Sequence, residues 1–259
     1  MSTTVPFALF VSPHLDDIAL SCGGLVERLA SSGTPVLIAT VCTGDRSLGQ
    51  PLSAVAQHEH AQWRLGDRPY QHRCEEDAQA CAILGAQFVH LGLLDAIYRR
   101  DENGAPLYTD NFIGGEVHPT DWRNQLPRVR ASLANLVANA AHIYCPFAIG
   151  GHVDHVIVRG AVEALASKSH FQYYEDYPYA ARRTSEVPAW TPEIGSGQPA
   201  TRWSLQLVEL TPEEIDARIQ AIACYASQTP VLFKSAEAMP DQVRSYVAQV
   251  GGERYWQPA

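Results

Sequence analysis

Short apolar runs alternate with segments of helical period from the start of this 259-residue chain to about residue 174, and that alternation restricts its fold. Phe7-Ala8-Leu9-Phe10-Val11 and Val36-Leu37-Ile38-Ala39-Thr40-Val41 have the length and composition of buried strands. Between them, Ile18, Leu20, Leu25, Val26 and Leu29 recur at helical spacing, and Gly33 ends the segment. The same reading predicts strands near 6–12, 36–41, 87–91, 142–146 and 170–174, and helices near 17–31, 53–66, 72–84, 122–140 and 153–166. Such alternation implies an α/β fold with a mostly parallel sheet and helices on both faces. One domain over 1–259 suffices for it.

Two stretches break the pattern. Residues 95–121 are rich in Gly, Asp and Asn, and 182–200 hold Pro188, Pro192, Gly195, Gly197 and Pro199. Both read as long loops over the active site. Beyond them, Thr211-Pro212-Glu213-Glu214 opens a helix with a capping box, and its Ile215, Ile219, Ile222 and Tyr225 pack on the body.

Charge and hydropathy exclude several classes of function. The net charge is −9, and no basic run offers a phosphate-binding face, so nucleic acid is not an expected partner. No apolar stretch approaches the roughly 20 residues that span a bilayer, so no membrane insertion is expected. The first apolar run has no basic segment ahead of it and meets Asp16 and Asp17, unlike a signal peptide. Six cysteines without CxxC spacing therefore read as reduced thiols, and the cytoplasm is the expected compartment.

The chemistry gathers at two strand ends. Ser12-Pro13-His14-Leu15-Asp16-Asp17 leaves the first strand, and Gly151-His152-Val153-Asp154-His155 follows the strand at 142–146. Ligands in parallel α/β sheets collect outside the carboxyl ends of the strands, so the clusters can converge. His14 and Asp17, three apart at a helix entry, can reach a common ion, whereas Asp16 points beside it. There its carboxylate can take a proton from a bound water. His152 and His155 repeat the spacing; one imidazole completes a three-ligand site and the other faces substrate. Taken singly, each cluster has a plain structural reading as a hydrogen-bonded loop His and helix-opening carboxylates. Two of them at matching positions favour the metal. Gly23 and Gly24 match no phosphate loop and read as room for helix–sheet packing.

These residues resemble the PIG-L/LmbE-like family of metal-dependent N-deacetylases. The family's Pro/Ala-His-Pro-Asp-Asp motif is similar to Pro13-His14-Leu15-Asp16-Asp17, and its His-Pro-Asp-His motif to His152-Val153-Asp154-His155. Arg73, Glu76, Ala80, Leu84-Gly85, Leu91-Gly92 and Asp95 resemble the pattern between them. The resemblance implies a Rossmann-like sheet and Zn²⁺ held by His14, Asp17 and His155, with Fe²⁺ or another divalent ion left open by the donor set. It implies Asp16 as general base, His152 as the group that stabilises the oxyanion and assists the leaving amine, and Asp154 as the residue orienting His152. Arg73 and Asp95 match positions that approach the sugar; the plain alternative for Arg73 is a surface salt bridge to Asp77.

Three departures stand out. Leu15 and Val153 replace motif prolines, which are not ligands, and Ile18 stands where many relatives carry Glu. Gly150 takes a position that in some relatives holds a Tyr at the oxyanion site, so oxyanion stabilisation is expected to rest on the metal and His152. The aromatics of Tyr173-Tyr174-Glu175-Asp176-Tyr177-Pro178-Tyr179 could wall a sugar site or simply pack a strand end.

The expected activity is hydrolysis of an N-acetyl group from a small-molecule amino sugar or glycoside. An amidase acting on a thiol conjugate or natural-product intermediate, and a non-catalytic binding protein, are the alternatives. The resemblance also leaves a homo-oligomer open.

Overall fold

The computed structural model describes residues 6–109, 113–166, 171–182 and 203–258. Its seven-stranded sheet runs β3-β2-β1-β4-β5-β7-β6. β1 (Phe7–Ser12) pairs in parallel with β2 (Val36–Gly44) on one side and β4 (Ala140–Pro146) on the other. β3 (Gln87–Leu94) extends the first side and β5 (Phe171–Tyr174) the second, again in parallel. Strand order therefore reverses between β1 and β4, and the crevice that forms beyond such a switch point is where α/β folds bind ligands.

β1 is central because both of its faces are covered. Leu9, Phe10 and Val11 are fully buried, which is why the segment reads as a continuous apolar run without alternation. The crossovers are α1 (Asp17–Ser31), α2 (Ala54–Trp63) with α3 (Pro69–Ile83), α4 (Pro119–Asn139) and α5 (Val153–Leu165). All five expected strands and all five expected helices are present, with ends shifted by a few residues. The loop expected at 95–121 contains a short helical turn, Ala96–Tyr98, and ends where α4 begins. Of the loop expected at 182–200, residues 183–200 lie outside the described residues.

The C-terminal part holds more than the expected helix. α6 (Pro212–Ala223) forms with its complete Thr211/Glu214 capping box, and α7 (Thr229–Phe233) and α8 (Met239–Val250) follow it. β7 (Glu253–Pro258) returns antiparallel to β5, and β6 (Trp203–Val208) closes that edge antiparallel to β7. β6 escapes a reading by apolar pattern because four consecutive residues in it, Ser204 to Gln206 and Leu207, are exposed at the sheet edge.

Gly23 requires a correction, since it makes room for α6 rather than for the sheet, and Gly24 makes room for Leu210 just ahead of α6. A Cβ at Gly23 would meet Arg218 Cγ at 2.9 Å, and one at Gly24 would meet Leu210 Cδ1 at 2.6 Å. Side chains from α6 and β7 bond to the α1 backbone at this crossing. Glu253 accepts the N–H groups of Gly24 and Leu25 at 2.9 and 3.0 Å, while Arg218 donates to the Leu20 carbonyl. All six cysteines are free thiols, and among the described residues no helix is long and apolar enough to cross a membrane.

Candidate active site

The turn after β1 is built before any ligand arrives. Ser12 Oγ donates to the His14 carbonyl at 2.6 Å, and the His14 N–H donates to Asp17 Oδ2 at 2.7 Å. Asp16 sits at φ 137°, a conformation that costs a non-glycine residue about 1–3 kcal/mol. Two contacts hold it there: its carbonyl accepts the Leu20 N–H at 2.9 Å, and Arg73 donates to the Leu15 carbonyl at 3.0 Å. Strain kept in place beside two carboxylates and an imidazole is a signature of a functional turn.

The second cluster opens α5. Its first residue outside the helix, His152, accepts the Asp154 N–H on Nδ1 at 3.2 Å. In the neutral ring Nε2 then carries the proton. Burial and the neighbouring His14 and His155 rings push the His152 pKa far below its ordinary value, so the ring is a neutral donor.

Two carboxylates anchor the other imidazoles. His155 Nδ1 donates to Asp176 Oδ1 at 2.6 Å, and His14 Nε2 donates to Asp154 Oδ2 at 3.0 Å. The free nitrogens both turn to Asp17: His155 Nε2 lies 3.5 Å from Oδ1 and His14 Nδ1 lies 3.6 Å from Oδ2. Donors bonded at about 2.0–2.2 Å to one tetrahedral ion stand roughly 3.4 Å apart, so these residues fit a divalent cation. Carboxylate-anchored imidazoles are the usual surroundings of such an ion. Nitrogen atoms of His14, His152 and His155 also lie within 4.8 Å of one another, although His152 offers a proton rather than a lone pair. A second grouping of His14, Cys42 and Asp154 is already filled by Arg99, which donates to both Cys42 and Asp154.

Asp154 thus acts on a different residue from the one expected. Its carboxylate reaches His14, Arg99 and the Ala96 N–H, whereas only its backbone touches His152. Arg73 is also not on the surface. Its guanidinium is buried 3.7 Å from Asp16 Oδ2 and lies over the Trp63 and Tyr70 rings, while Asp77 pairs with His90 and Tyr225. Asp95 accepts from Tyr70 Oη at 2.5 Å and the Ile97 N–H at 3.1 Å, and stands 3.4 Å from His14 Nε2.

The two clusters and Asp95 share one cavity with Arg73, all at the carboxyl end of the sheet. Burial raises the Asp16 carboxyl, Arg73 opposes it and Asp17 adds to it, leaving it at about 7. For Asp17, burial is overcome by His155 and His14, which hold the carboxyl well below the ordinary carboxylate range. For Asp95, burial is again overcome, by His14 and by the hydrogen bonds from Tyr70 and the Ile97 N–H, which lower the group to about 2. One carboxyl poised near neutrality beside another held ionised is an arrangement that can move protons.

Sequence reasoning missed Asp176, whose only local signal is a carboxylate just after a strand. Glu59, Trp63 and Gln228 also line the cavity, from elements with no strand-end motif. Of the aromatics at 173–179, Tyr177 and Tyr179, after β5, reach the cavity, whereas Tyr173 and Tyr174, within β5, belong to the core. Tyr179 packs on Gly150, and burial, then Asp17 and Asp16, keep its phenol protonated.

The family model "PIG-L: GlcNAc-PI de-N-acetylase" matches residues 9–166. The chain is 34% identical over 185 residues to 2'-N-acetylparomamine deacetylase of Streptomyces fradiae, covering 68% of this chain and 58% of that protein. It is 29% identical over 184 residues to the enzyme of the same name from Niallia circulans, covering 66% of each. The match thus spans less than two thirds of either relative's own length. A crystal structure of a deacetylase in the biosynthesis pathway of teicoplanin superposes with a TM-score of 0.78 at 25% identity, over 97% of this chain and 96% of that one.

Proposed function

Because this chain belongs to the PIG-L family, we propose that it is a metal-dependent hydrolase that removes an N-acetyl group from an amino sugar or glycoside. One observation carries the reading: His14 and His155, each anchored by a carboxylate, present their free nitrogens to Asp17 beside a strained, poised Asp16.

His14, Asp17 and His155 would hold the cation; zinc suits two imidazoles and a carboxylate, as do Fe²⁺ and other divalent ions. When bound, the cation supplies Lewis acidity, polarising the amide carbonyl and making water more acidic. Asp16 takes the proton from the attacking water and delivers it to the amide nitrogen as the C–N bond breaks. Burial raises the Asp16 carboxyl and Arg73 opposes the rise, surroundings that suit a group which accepts a proton and returns it. His152 donates its Nε2 proton as a hydrogen bond to the developing oxyanion. The products are acetate and the free amine.

Asp154 is a positioning residue for His14, and Asp176 for His155. Arg73 fixes the turn through Leu15 and limits the rise of the Asp16 pKa. Arg73 and Asp95 are 3% and 5% exposed, so we assign them to positioning first and to substrate contact only through the edge each shows the cavity.

The test is acetate and amine release from a panel of N-acetylated amino sugars by purified, metal-analysed protein. Release that stops with a chelator and returns with a divalent ion is expected. Metal-loaded protein that frees acetate from none of them, or release indifferent to chelation, would overturn the proposal.

A further inference from the structure

The inward face of α2 carries one residue that helix packing does not explain. Val55, Glu59 and Trp63 recur every four residues and share a face. Val55 and Trp63 are buried at 1% and 8% exposure, and the period calls for an apolar residue between them. A carboxylate stands there and lines the same cavity as Asp16, Arg73 and Asp95.

Among the described residues, Glu59 has neither a hydrogen bond nor an ion pair to its carboxylate. Arg73, the cation of that wall, donates to Leu15 and faces Asp16 instead. Burial raises the Glu59 pKa and Asp95 adds to the rise, while His58 and, more weakly, Arg73 oppose it, so the charge is only partly compensated. A half-buried charge without a partner costs stability, and such groups are retained where a ligand supplies the partner.

The sign of the cavity identifies that ligand. Its described lining holds the carboxylates of Asp16, Asp17, Glu59 and Asp95 against the single guanidinium of Arg73. With Asp16 ionised, as a base must be, a divalent cation between His14, Asp17 and His155 still leaves this wall one net negative charge. Phosphorylated or otherwise anionic sugars are repelled by it, and ammonium groups are drawn in. Ile97, Ile113, Val231 and Leu232 supply apolar surface for the carbon face of a sugar ring.

We propose that Glu59 is a specificity-determining residue that pairs with a free ammonium group of the substrate, so that the preferred substrates are N-acetylated amino sugars carrying at least one further, unacetylated amine. This rests on the deacetylase reading above.

The test compares Glu59→Gln with the parent protein, both metal-loaded, on mono-N-acetylchitobiose, which keeps one ammonium, and on neutral N,N'-diacetylchitobiose. The substitution is expected to raise KM for the charged sugar about tenfold, with kcat and the neutral sugar's KM little changed. Raising salt from about 20 to about 300 mM should weaken the charged sugar only in the parent. Removing an unpartnered charge should leave Tm equal or higher. Equal effects on both sugars, an unchanged preference, or a fall in Tm would overturn the proposal. Calorimetric titration with fully deacetylated chitobiose separates the two readings. Binding about tenfold weaker in Glu59→Gln supports the ammonium contact even if neither acetylated sugar is hydrolysed, and equal binding refutes it.

Discussion

Gly150 lies flat against the ring of Tyr179: a Cβ at position 150 would meet Tyr179 Cγ at 3.1 Å. Gly150 also holds φ at 96°, where side chains are strained. The ring therefore occupies the space that a side chain at 150 would fill. Position 150 is where some relatives carry a tyrosine, and here a phenol reaches the cavity from the segment after β5 instead.

Gly150→Ala should accordingly lose stability by about 1–3 kcal/mol, from backbone strain and from displacing Tyr179. Thermal melting measures the first effect, and acetate release per folded molecule the second. A variant as stable and as active as the parent would mean that the contact constrains neither the loop nor the ring.

Asp16→Asn should keep its metal and lose about two to four orders of magnitude in turnover. The Asp16 carboxylate faces Arg73 rather than the free nitrogens of His14 and His155, so ligation does not depend on it. Elemental analysis beside the acetate assay decides the matter. Loss of the ion would make Asp16 a ligand, and undiminished turnover would remove it as the base.

Much of this was legible in the chain. The continuous apolar run Phe7–Val11 marks a strand buried on both faces, and His14 with Asp17 and His152 with His155 follow two predicted strands at matched spacing. The partners of those residues were not legible. Asp176 meets His155 only because β5 lies next to β4, and Asp154 meets His14 only because β1 lies on the other side of β4. Glycines 23 and 24 announce a close approach but not its partner, which is Arg218 and Leu210 from distant sequence. Local spacing encodes donors; the carboxylates that aim them come from tertiary neighbours.

His90 ties stability to alkaline pH. Burial opposes its protonation, but the hydrogen bond to Asp77 at 2.8 Å prevails and lifts the pKa from 6.5 to about 9. A folded-state pKa above the unfolded value means that this contribution is full below about pH 6.5 and fades as pH rises through about 9. Urea midpoints from pH 6 to pH 10 should fall more steeply in the parent than in His90→Gln, the difference isolating this histidine from other titrating groups. Parallel curves would show that the pair is not linked to folding.

Asp176→Asn should weaken metal binding about 10–100-fold, the usual cost of losing the residue that orients a ligand imidazole. Asp176 accepts twice: from His155 Nδ1 at 2.6 Å and, through its other oxygen, from the Ile149 N–H at 2.7 Å. An asparagine has one acceptor oxygen, so it can serve His155 or Ile149 but must turn an NH₂ toward the other donor. If it keeps His155, the Ile149 N–H is left unsatisfied in the loop that leads to His152, at about 1–3 kcal/mol. If it keeps Ile149, His155 loses its anchor and its Nε2 no longer faces Asp17. Competition with a chelator of known affinity measures the metal, and melting measures the loop. Parent-like values in both would show that Asp176 neither aims His155 nor supports the turn, because no asparagine rotamer satisfies both donors.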